Sequence, residues 1–154
     1  AYAVRRATYG EDSLHTLVTL VNLGTIRSRL GDDAGAEATL REAYERLRRH
    51  FGEDHPQLIR AGVNLAANLS RAGRGDEALA IYERLVPHAT RVLGPTHAST
   101  LTITGNHASA LRSAGRHAQA LAIHRDVHAR VLESLGPESR EALVWATHLG
   151  VSLG

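Results

Sequence analysis

Cysteine, methionine and lysine are all absent from this 154-residue chain, and it has only one tryptophan and one phenylalanine. Without cysteine there is no disulfide framework, no thiolate zinc or iron–sulfur site, and no thiol nucleophile. No apolar run approaches the roughly 18 residues of a membrane-spanning helix. Proline is scarce at four residues, and aromatic residues make up 4% of the chain, so a core must be built from Ala, Leu and Val. All 18 basic residues are arginines, and 16 acidic residues leave a net charge of +2. That near-balance argues against a nucleic-acid surface, which needs a basic stripe with stacking aromatics. The arginine bias reads as codon composition rather than function.

Gly10, Gly52, Gly94 and Gly136 recur at a 42-residue interval, each followed by a polar link such as Gly52-Glu53-Asp54-His55-Pro56 or Gly94-Pro95-Thr96-His97. Gly31, Gly73 and Gly115 repeat at the same interval, as do Asn22, Asn64 and Asn106, with His148 fourth, and Ala36, Ala78 and Ala120. Several columns held in register across three copies define an internal repeat. Apolar spacing within each copy is helical: Leu58, Val63, Leu65, Ala66 and Leu69 precede Gly73, and Ala78, Leu79, Ile81, Tyr82, Leu85 and Val86 follow it. Each unit is therefore two helices hinged at a glycine suited to a left-handed helix end. The expected helices span 12–30, 33–50, 55–72, 75–92, 97–114, 117–134 and 138–153. Residues 1–9 match the end of a second helix, residues 10–51, 52–93 and 94–135 are three repeats, and 136–154 hold the first helix of another. On this reading the chain is a segment of a longer array.

The small positions Gly24/Ala66/Ala108/Gly150 and Ala36/Ala78/Ala120, with a bulky position at Leu40/Tyr82/His124, resemble the tetratricopeptide repeat pattern. The 42-residue period and the links GEDHP, GPTH and GPES are similar to the kinesin-light-chain variety. The resemblance covers nearly the whole chain. It implies an all-α, right-handed superhelical α-solenoid of antiparallel helix pairs, with the first helix of each pair lining a groove. It also implies a non-catalytic cytoplasmic adaptor that binds a protein or peptide segment, within a larger signalling or regulatory protein. The competing class is a structural or oligomerisation segment that packs on its own chain or self-associates through open solenoid ends.

Stacked repeats turn one position into a row. Asn22, Asn64, Asn106 and His148 form such a row, joined on the same helices by Arg29, Arg60, Asn68, Arg71 and Arg112. Amides grip the backbone of an extended peptide and guanidinium groups fork onto carboxylates, so an acidic ligand fits this chemistry. The same asparagines equally suit bracing of neighbouring helices, and both roles stay open at this stage. His124 and His128, at i and i+4, with His117 before them, form a remote metal-ligand candidate, but no HExxH pattern or third carboxylate accompanies them. His15, His50, His55, His88 and His97 lie near links or helix ends and are expected in solvent. No phosphate-binding glycine loop or GxSxG elbow occurs, so neither a cofactor nor an enzymatic activity is expected. Three departures from the repeat stand out. Pro87 should kink or end its helix. Arg27 replaces Leu69 and Leu111, so that repeat either packs less apolar area or lets the arginine snorkel. Trp145 is either core awaiting a further helix or an exposed binding aromatic.

Overall fold

The computed structural model describes the backbone of residues 1–153 and the side chains of residues 1–147. The described residues form eight helices and no strand: α1 (Tyr2–Tyr9), α2 (Leu14–Arg29), α3 (Asp33–Phe51), α4 (Pro56–Arg71), α5 (Gly75–Leu93), α6 (Ala98–Ser113), α7 (His117–Leu135) and α8 (Arg140–Leu153). The chain is all-α, of the solenoid class of paired helices. Two compact units divide it, residues 1–81 and 82–154.

Seven glycines have positive φ, and they are the two repeated columns. At the link column Gly10, Gly52 and Gly136 combine φ of 86°, 80° and 82° with ψ of 162°, 175° and 164°. That region is essentially restricted to glycine. The hinge column closes a different way. Around Gly31, Gly73 and Gly115 the amides of Asp32, Arg74 and Arg116 reach back to the carbonyls of Arg27, Leu69 and Leu111 at 3.0, 2.9 and 2.8 Å, the six-to-one bond of a Schellman stop. Backbone geometry therefore explains why these two columns hold glycine.

The first unit packs α2, α3 and α4 around Leu17, Val21, Leu40, Leu47, Leu58, Leu65 and Leu69, all nearly inaccessible to solvent. Gly24 lies against Leu40 so closely that a Cβ there would meet Leu40 Cγ at 2.6 Å and Cδ2 at 2.8 Å. The other repeats hold Ala66 and Ala108 in this column, and Tyr82 and His124 where Leu40 stands. The branched Leu40 thus requires a glycine opposite. Gly24→Ala should destabilise the fold by about 1–3 kcal/mol through overpacking, read as a lower midpoint in urea with an unchanged slope. A neutral result would show that Leu40 can rotate away.

Arg27 is half-buried, and its Nη1 donates to Thr39 Oγ1 at 2.7 Å and to the Gly35 carbonyl at 3.2 Å. Thr39 occupies the column of Ile81 and Ile123. The first repeat has exchanged both members of an apolar pair of columns for a hydrogen-bonded polar pair, which lets the arginine stay partly inside.

In the second unit Trp145 is 3% exposed and sits in a cluster with Leu101, Val127, Val131 and Ala142. Trp145 is core, but it awaits no further helix, because α6 and α7 already bury it; the expectation of an exposed aromatic is corrected. Pro87 does not end its helix, and that half of the expectation is corrected, because α5 continues through it to Leu93. Pro87 is on the exposed side of the helix. Buried Leu85, His88 and Ala89 hold the helix on both sides of it. His88, expected in solvent, is 6% exposed and its Nδ1 lies 3.3 Å from Arg91 Nη2. Its column holds Arg46 and Arg130, so this is an inward-leaning position of the second helices.

Candidate functional site

The first helices differ from the second helices in charge. Helices α2, α4 and α6 contain no Asp or Glu, while they carry Arg27, Arg29, Arg60, Arg71 and Arg112. Apart from Glu141 of α8, the carboxylates of the described residues belong to the links, that between α1 and α2 included, and to the second helices, where several are paired. Arg46 reaches Glu42 at 2.7 Å and Asp12 at 2.9 Å, and Arg74 reaches Glu37 and Glu77 at 2.5 Å. The Arg46 hydrogen bond holds Asp12 below the usual carboxylate range, and Arg41 followed by Arg74 does the same for Glu37. An incoming acidic ligand meets no carboxylate on α2, α4 or α6, whereas α8 carries Glu141.

In the first unit the predicted row is a zipper between α4 and its neighbours. Arg60 Nη2 donates to Asn22 Oδ1 at 3.1 Å, and Asn64 Nδ2 donates to Thr25 Oγ1 at 2.9 Å. One turn on, Asn68 Nδ2 donates to Asp33 Oδ1 at 3.2 Å, and Arg71 Nη2 donates to the same oxygen at 3.1 Å and also contacts Ser28 Oγ. Asn68 is 1% exposed and its Oδ1 accepts no hydrogen bond, so it can take no part in a surface contact without rearrangement. Arg29, Asn22, Arg60 and Arg71 are exposed and Asn64 is half-buried. The amides at 64 and 68 are thus engaged between helices, and the guanidinium groups remain reachable from solvent.

In the second unit Asn106 is half-buried and Arg112 exposed, and the side chain of His148 lies outside the described residues. Asn106 lines a cavity of about 520 Å³ between α6 and α8, together with Leu101, Gly105, Arg140, Val144 and Trp145. Gly105 replaces the valines of its column, Val21 and Val63. A Cβ there would meet Trp145 Cη2 at 3.8 Å, ordinary contact, so the missing side chain is not demanded by packing. Its loss leaves the cavity open. The sequence carried this signal as a break in the valine column, but only the position of α8 makes it a cavity. His107, in the column of Leu23 and Leu65, has a buried Nε2 with no hydrogen-bond partner. Burial, against a weaker opposing pull from Glu83, pushes its ring below the ordinary histidine range, so it stays neutral.

The three candidate ligand histidines do not form a metal centre. His117 is exposed at the start of α7, His128 is half-buried, and His124 is buried with its ring edge-on to Trp145 at 5.6 Å. Among the described residues no three His, Asp or Glu side chains converge to hold a metal ion. No described helix is long and apolar enough to cross a membrane.

The family model of the tetratricopeptide repeat matches residues 1–49 and 57–133. The chain therefore belongs to the tetratricopeptide repeat family. Within it, the structure is similar to one from Podosopora anserina described as a kinesin light chain with nearly identical TPR-like repeats. That match has a TM-score of 0.92 at 20% identity and covers 98% of this chain and 72% of the other. A point variant of that protein matches equally, with 71% of its length covered. BtubC (BKLC) from P. vanneervenii is also similar, with a TM-score of 0.77 at 15% identity over 89% of this chain and 55% of the other. At these identities the likeness is one of fold. No curated protein matches the sequence. Tetratricopeptide repeats are in general protein–protein interaction modules and generally non-catalytic.

Proposed function

We propose that this chain holds an extended, carboxylate-bearing segment of another protein on its first helices. The absence of any Asp or Glu from α2, α4 and α6, beside exposed Arg29, Arg60, Arg71 and Arg112, carries this reading. Charge-assisted hydrogen bonds from guanidinium to carboxylate supply the attraction. In the second unit, the cavity between α6 and α8 takes an apolar side chain of a bound segment, since Leu101, Val144 and the indole provide its apolar walls, with Arg140 and Glu141 also lining it. Asn64 and Asn68 act as braces that hold α4 in place, and Asn106 is the amide left to meet the ligand.

Fluorescence anisotropy against a labelled library of acidic peptides tests this. Binding should weaken as salt rises, because exposed ion pairs are screened. Gly105→Val, which restores the residue of the other repeats, should reduce affinity about tenfold, roughly 1.4 kcal/mol, with little change in melting temperature. Equal binding of acidic and basic peptides would overturn the charge reading, and unchanged affinity in Gly105→Val would remove the cavity from it.

A further inference from the structure

Residues 13, 55, 97 and 139 end the four links, and each caps the helix behind it. Ser13 Oγ accepts the Thr16 amide and Ser139 Oγ the Ala142 amide, both at 3.2 Å. The two inner caps are histidines: His55 Nδ1 accepts the Gln57 amide at 3.2 Å, and His97 Nδ1 the Ser99 amide at 3.1 Å. A serine hydroxyl accepts at any pH. An imidazole nitrogen accepts only through the lone pair of the neutral ring. Protonation would turn Nδ1 into a donor facing another donor and place a cation at the positive end of the helix dipole. Between neutrality and about pH 5.5, histidine is the side chain whose charge ordinarily changes.

We propose that His55 and His97 are acid-released latches on α4 and α6, while serine caps keep α2 and α8 insensitive to the same change. Helices α4 and α6 carry Arg60, Asn64 and Asn106, so acid release would also loosen the ligand face. That consequence, unlike the latches themselves, rests on the proposed function. The charged and titratable groups of the elements meeting at His55 are Arg48, Arg49 and His50 at the end of α3, Glu53 and Asp54 in the link, and His15 at the start of α2. At His97 they are His88 and Arg91 of α5, Arg130 and Glu133 of α7, and Arg140 and Glu141 of α8, which line a cavity with the neighbouring Ala98, and the link Gly94-Pro95-Thr96 holds no charge. Glu53 and Asp54 favour the cationic ring and so work against the cap at His55 under acid. The phenyl ring of Phe51, 5.2 Å from the His55 ring, does not change charge. His50 lies 3.2 Å from Asp12, so its protonation would strengthen a contact and act in the opposite direction.

Two measurements test the latches. Long-range ¹H–¹⁵N spectra of the imidazoles at pH 7.5 should show both rings as the Nε2–H tautomer with a bare Nδ1. Melting curves at pH 7.5 and 5.5 should then be compared between the wild type and His55→Ser/His97→Ser, which keeps the other eight histidines. The wild-type melting temperature should fall at least about 4 °C further than that of the variant, the scale of a lost cap in each of two helices. Equal falls would overturn the proposal, and so would a proton on Nδ1 of both rings at pH 7.5. The tautomer measurement uses the wild type alone and decides the matter if the variant does not fold.

Discussion

Trp145→Ala should be the most damaging single substitution in the second unit, costing about 3–5 kcal/mol. Its column holds Thr19, Ala61 and Ile103, so the indole is far larger than its equivalents. The ring fills the space between α6, α7 and α8, where it touches the cluster of Leu101, Val127, Val131 and Ala142 and stands edge-on to His124. Alanine would leave a void beside the cavity already present at Gly105, and partial collapse could not refill both. The measurement is urea denaturation followed by circular dichroism, since the variant loses the intrinsic fluorophore. A cost below about 1 kcal/mol would show that α8 is not held by its tryptophan. Trp145→Phe should recover part of the loss, because an aromatic ring still meets His124.

The helical pairs were legible in the sequence because their determinants are local. Glycines at fixed spacing, with backbone angles that other residues resist, mark each link and hinge, and the helices begin and end within a few residues of the expected positions. The zipper in the first unit was not legible. Thr25, Ser28 and Asp33 belong to columns without a common residue type, and only their placement beside α4 reveals them as partners of Asn64, Asn68 and Arg71. Arg27 was visible as an exception, but its solution lies twelve residues away at Thr39, on the other helix of the pair. Pro87 misled only as a helix end: the local rule is sound, but packing on both sides of the proline carries α5 through it. His55 and His97 lie in links whose polarity suggested solvent, yet the first backbone amides of a helix need acceptors and the imidazole provides one. The ligand face was legible as residue types, because amides and guanidinium groups name their own chemistry. The division between those that brace and those that face solvent depends on distances, which periodicity does not contain.

That division yields the second large effect. Arg29→Glu/Arg60→Glu should weaken binding of acidic peptides by about 10- to 100-fold at low salt, roughly 1.4–2.7 kcal/mol. The change places two carboxylates on helices that have none, so attraction is lost and repulsion gained together. Both positions are exposed and Arg60 gives up only a surface bond to Asn22, so the fold should hold to within about 0.5 kcal/mol. Asn64→Ala is the contrasting variant. It removes the bond to Thr25 between α4 and α2, and should lower stability by about 1 kcal/mol with little loss of affinity per folded molecule. Paired thermal melts and anisotropy titrations separate the two roles. The ligand face is misassigned if charge reversal leaves acidic peptides bound as before. If Asn64→Ala abolishes binding in a fold of unchanged stability, its amide reaches the ligand and the bracing role is the one to discard.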